Sequence, residues 1–175
     1  LAWPWVHMEI GVMYKNILVA VDLEGGSEQV LAKAAELAGG SCNCNCDGDC
    51  SCQCHHKSNV FLLNVGHFPV PTYAGVYGGG AYGGPEFYVD FNDIRENLLP
   101  NLESMATEHK LNNVSALVEF GRPTDLIVEV AERENIDLII LGSHGKHGVA
   151  LLLGSTADGV LHHAQCDVLA VCIKK

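Results

Sequence analysis

The chain has 175 residues, 48% hydrophobic and 18% charged, a size and composition that suit one folded domain and argue against overall disorder. Asp and Glu total 21 against 10 Lys and Arg, a formal charge of −11 without any basic cluster, which excludes nucleic acid as a partner. No apolar run reaches the about 18 residues that cross a bilayer, and Leu1 to Val12 lack the basic start of a secretory signal, so a cytoplasmic protein without membrane insertion is expected.

Residues 1–12 show no period and are read as an N-terminal extension ahead of a domain over 13–175. Asn16–Val21 (NILVAV) is a near-continuous apolar run, the pattern of a strand covered on both faces. Ser27 is placed to cap a helix whose Val30, Leu31, Ala34, Leu37 and Ala38 fall at helical spacing, and Gly39-Gly40 stops it. Val60–Val65 reads as a second buried strand, followed by a Gly/Tyr loop over Tyr73–Pro85. Phe87, Phe91, Ile94, Leu98, Leu102 and Met105 mark one face of a long helix, with Pro100 expected to kink it. Val114–Phe120 is a third strand, and Pro123 starts a helix with Ile127, Val130 and Ala131 inward. Asp137–Leu141 is a fourth strand, a helix spans about Ser155 to Ala164, and Asp167–Ile173 closes as a fifth strand in which Cys172 reads as a small core residue.

Five apolar strands alternating with four helices predict an α/β fold, a single-domain open five-stranded parallel sheet with helices on both faces. Ligands of such sheets bind beyond the carboxyl ends of the strands, where strand order reverses. There the segment Gly142–Thr156 (GSHGKHGVALLLGST) is the strongest signal. Gly142 and Gly145 let backbone approach a ligand, Gly154, Ser155 and Thr156 open a helix whose free amides favour an anion, and Lys146 can add a cation. The structural alternative is a strand end followed by a Ser155–Asp158 capping box. A second glycine pattern, Gly78-x-Gly80-x-x-Gly83, stands too far from its strand to be a dinucleotide fingerprint.

Gly142-x2-Gly145-x8-Gly154-Ser155 resembles the ATP-binding signature of the universal stress protein (UspA) superfamily, which has nine residues before its third glycine. The opening Met13–Asp22, the segment Asp137–Gly145 and the ending Cys166–Val171 are similar to the same family, so the resemblance covers about residues 13–40 and 58–175. It implies a Rossmann-like, adenine nucleotide alpha hydrolase-like domain that binds ATP, or AMP or ADP, with Mg or Mn. Ala20, Val21 and Asp22 match the adenine and ribose positions, Val65 the position packed on adenine, and Leu141 and Gly142 the floor. Gly145, Gly154, Ser155 and Thr156 match the phosphate cradle, with His144 and Lys146 beside it. It also implies a homodimer through the apolar last strand and a role as a nucleotide-dependent signalling module with a protein partner. Slow ATP hydrolysis or autophosphorylation is the most catalysis it implies, since no nucleophile–base set can be read from spacing.

Six of the eight cysteines, Cys42, Cys44, Cys46, Cys50, Cys52 and Cys54, lie in an insertion at about 41–57 that the family pattern lacks. Their period of two puts the thiols of each arm on one face if the arms are extended around Asp47-Gly48-Asp49, a set suited to Zn or Cu(I). The competing readings are a flexible polar loop and a metal-binding stress protein.

Overall fold

The computed structural model describes residues 14–23, 25–38, 58–66, 90–143 and 153–173. The N-terminal extension, the cysteine cluster, the Tyr73–Pro85 loop, Phe87, His144, Gly145 and Lys146 lie outside the described residues.

A near-continuous apolar run suits a strand flanked on both sides and covered on both faces. β1 (Asn16–Val21) is that strand, at the centre of a parallel sheet ordered β3-β2-β1-β4-β5. β2 (Asn59–Gly66) pairs with it through Ala20↔Leu63 and Val21↔Asn64, and β4 (Leu138–Ser143) through Ala20↔Leu141. β3 (Val114–Phe120) and β5 (Asp167–Cys172) are the edges. Side-chain alternation divides the core into two. Ile17, Val19, Leu62 and Ile140 pack under α1 (Ser27–Ala38) and α2 (Phe91–Glu108), while Leu18, Leu63, Ile139 and Leu141 pack under α3 (Pro123–Arg133) and α4 (Ser155–His163).

The expected five strands and four helices are all present, and the differences lie at their ends. Ser27 is the first residue of α1, and its hydroxyl donates back to the Asp22 carbonyl and to Asp22 Oδ1. Asp137 immediately precedes β4, and its carboxylate accepts from the amides of Lys15 and Asn16 at 2.9 and 3.0 Å. α2 runs through Pro100, which is exposed, and is capped by Asp90, whose carboxylate accepts from the Asn92 amide at 2.8 Å. The Ser155–Asp158 capping box is not formed: Gly154 is the N-cap and no side chain caps α4. His162 and His163 are exposed in the last turn of α4, His162 lying 3.8 Å from Asp158.

The two sheet edges differ. The bonds Val60 N–H to Asn113 O and Gly121 N–H to Gly66 O give the odd-numbered backbone of β3 to β2, so Val118 offers its carbonyl to the free side. Arg95 takes that carbonyl with Nε at 3.0 Å, and its guanidinium also stacks 5.9 Å over Phe120 and faces Glu119 at 3.8 Å. Such charged cover protects an edge from pairing. β5 has a different character, a partly exposed strand of Val168, Leu169, Ala170 and Val171. Cys172 is exposed at its end, a correction to the core placement expected for it, because an edge strand has a neighbour on one side only. Cys166 is half-buried, and burial first, then Asp167 and Asp137, pushes its thiol up.

Candidate functional site

Strand order reverses between β1 and β4, and the helices that come next in the chain, α1 and α4, pack on different faces of the sheet. That places a crevice beyond their carboxyl ends. Ala20, Val65 and Leu141 lie together on the α3–α4 side of the sheet, Leu141 at 2% exposure and the other two half-buried. Val21 and Gly142 lie on the α1–α2 side. Asp22 follows directly on β1 and is exposed at the rim.

Asp22 is held by its own loop. The backbone turns through Gly25 and Gly26 at φ +120° and +90°, a left-handed region that favours glycine, and this returns Ser27 to bond the Asp22 carbonyl and carboxylate. Ser27 is buried, so its end of the tie is fixed by packing while Asp22 stays exposed. Asn64 is a positioning residue that the pattern alone does not reveal. It is buried in β2, and its Nδ2 donates to the Val21 carbonyl at 2.9 Å, fixing the end of β1 from the neighbouring strand. The available signal was a polar residue inside the otherwise apolar VFLLNV run.

Replacing Asn64 by Leu is expected to destabilise the fold by about 1–3 kcal/mol, because the Val21 carbonyl loses its buried partner while the side-chain volume is roughly kept. Urea unfolding followed by circular dichroism reads this; a midpoint equal to wild type would show that the bond contributes nothing.

α4 begins on the same end of the sheet, since it must run back antiparallel to β4 to reach the start of β5. Its first intrahelical backbone bond is Asp158 N–H to Gly154 O at 2.9 Å, so the amides of Ser155, Thr156 and Ala157 have no acceptor within the helix. With Gly154 as an N-cap that brings no side chain, this terminus suits an anionic group. Gly142 has a packing role of its own: a Cβ there would stand 2.5 Å from Ile173 Cδ1 and 3.4 Å from Val30 Cγ2. Of the expected nucleotide residues, the described ones thus fall at the ends of β1, β2 and β4 and at the start of α4.

The opposite end of the sheet carries the attachment points of the cysteine-rich stretch. α1 ends at Ala38, and Ser58 precedes β2 with its hydroxyl bonded to the Tyr14 carbonyl at 2.6 Å. Nearby, the Tyr14 hydroxyl donates to Asp167 Oδ2 at 2.9 Å, a hydrogen bond that pushes the phenol up. Among the described residues no group of three or more His, Cys, Asp or Glu is placed to hold a metal ion, and no helix is long and apolar enough to cross a membrane.

Five parallel strands, helices on both faces and a reversal at β1/β4 define a Rossmann-like α/β protein. The profile of the universal stress protein family matches residues 55–171, more than half of the chain. The chain is also similar to the universal stress protein A homolog 2 of Coxiella burnetii, 37% identical over 163 residues that span 92% of this chain and 97% of the relative. It belongs to the universal stress protein family. Solved structures share the fold at lower identity. A universal stress protein in complex with cAMP is 19% identical with a TM-score of 0.60, the match covering 93% of this chain and 99% of that one. The universal stress protein of Archaeoglobus fulgidus in complex with dAMP is 22% identical with a TM-score of 0.54 over the same shares.

Proposed function

We propose that this chain is an adenine-nucleotide-binding universal stress protein, a homodimeric regulatory module that passes the nucleotide state to a protein partner in the cytoplasm. The observation that carries the reading is the crevice at the β1/β4 reversal, where an exposed, loop-tied carboxylate at Asp22 stands on the same end of the sheet as the uncapped start of α4. Asp22 can accept from ribose hydroxyls or the adenine amino group, Val65 and Leu141 offer apolar surface to the base, and the amides of Ser155 and Thr156 suit the phosphates. His144, Gly145 and Lys146 complete the set through their place in the sequence. Mg or Mn is the divalent partner that ATP would bring, and its charge would offset an acidic protein. Relatives in the family solved with cAMP and dAMP support the choice of an adenine nucleotide. Self-pairing of β5 is supported by its partly exposed apolar strand, whose free edge has no charged cover among the described residues, in contrast to the Arg95-covered edge of β3.

Native mass spectrometry of protein purified without added nucleotide tests the reading. A dimer that carries or takes up ATP, ADP or AMP is the expected result; a protein that refuses all three at millimolar concentration would overturn it.

A second, separable activity is metal binding by Cys42, Cys44, Cys46, Cys50, Cys52 and Cys54, favoured by their period-two spacing. Both attachment points of this stretch lie at the amino end of the sheet, away from Asp22. Metal analysis of the same sample decides it: Zn or Cu(I) that protects the thiols from alkylation supports the site, and unprotected thiols at saturating metal remove it.

A further inference from the structure

We propose that Ile173 is a positioning residue of the nucleotide site, a wedge that sets the spacing between the loop carrying Asp22 and the end of β4. The inference rests on the nucleotide reading above and adds a residue that the binding motif does not contain.

Two glycines from different elements face this one side chain. A Cβ on Gly142 would stand 2.5 Å from Ile173 Cδ1, and a Cβ on Gly26 would stand 2.7 Å from its Cγ2. Neither position has room for a methyl group while Ile173 holds its place, so the side chain sits directly on both backbones. Gly26 precedes Ser27, whose hydroxyl holds the Asp22 carbonyl and carboxylate, so a shift of Gly26 is passed to Asp22 through one residue. Gly142 is the fifth residue of β4, and the Ile173 amide bonds the Ser143 carbonyl beside it at 3.5 Å. Ile173 therefore touches both sides of the crevice at once. Its chemistry fits the task at Gly26, because a β-branched side chain is stiff at χ1 and so fixes Cγ2, while Cδ1 over Gly142 turns on χ2 as well.

The branches of isoleucine allow the contact on Gly142 to be weakened more than the contact on Gly26. Ile173→Val removes Cδ1, the nearest atom to Gly142 and the second nearest to Gly26, and keeps Cγ2, the nearest to Gly26; Ile173→Ala removes both. Titration calorimetry with Mg-ATP is expected to give a dissociation constant about threefold higher for the first and about tenfold higher for the second. Adding Gly142→Ala to Ile173→Ala returns a methyl group to the vacated space and is expected to recover part of the lost affinity, which a simple loss of stability would not do. Thermal melts of each variant report folding, and if Ile173→Ala does not fold, Ile173→Val decides alone. Affinities within twofold of wild type in the folded variants would overturn the wedge and leave the nucleotide site standing. A wild-type protein that binds no nucleotide would overturn both.

Discussion

Asp22→Ala is expected to weaken ATP binding about 10- to 100-fold while lowering stability by about 1 kcal/mol. A hydrogen bond to an ionised group contributes about 1.5–3 kcal/mol, and each 1.4 kcal/mol is a factor of ten in affinity. The carboxylate follows directly on the central strand and is exposed, so it meets a ligand without moving backbone. The Ser27 hydroxyl retains the Asp22 carbonyl when its Oδ1 contact at 3.3 Å is lost. Asp22→Asn keeps the shape and one acceptor but removes the charge, and its affinity is expected to fall between the other two. Titration calorimetry beside a urea curve separates binding from folding. An Asp22→Ala protein that folds and binds ATP as wild type does would move the ribose or adenine contact elsewhere in the crevice.

The strands and helices were legible because burial imposes a period, and the parallel sheet followed because apolar strands alternated with helices. Element ends were less legible, since they are decided by single polar contacts. Asp137 carries a carboxylate that serves the amides of Lys15 and Asn16, which lie over a hundred positions away in the chain. Ser27 looked like a cap and instead donates to Asp22, a choice set by the positive φ of Gly25 and Gly26. Cys172 was misread because an apolar residue at the end of an edge strand is not thereby buried, even where the strand itself is placed correctly. For the site, Asp22 and Gly142 could be found by their position after a strand, whereas Asn64 and Ile173 act through neighbours brought together only by the fold.

The proposed dimer has a test in one backbone position. The bonds Asp167 N–H to Asp137 O and Ile173 N–H to Ser143 O assign the odd-numbered backbone of β5 to β4, so Val168, Ala170 and Cys172 present their amides to the free edge. Ala170→Pro removes one of those amides without breaking a bond to β4, and proline is tolerated on an edge strand in just such a position. In a two-fold pairing of β5 with its copy, both protomers carry the change. Each leaves a partner carbonyl unpaired at about 1–3 kcal/mol, so dimerisation is expected to weaken by about 2–6 kcal/mol. Val171→Pro is the contrasting variant, because its amide faces β4 and its loss should lower the melting temperature of the fold itself. Sedimentation across a concentration series, with melts alongside, reads both. A folded Ala170→Pro monomer is the expected outcome; a wild-type-like dimer would place the contact on another surface and leave the apolar edge of β5 unexplained.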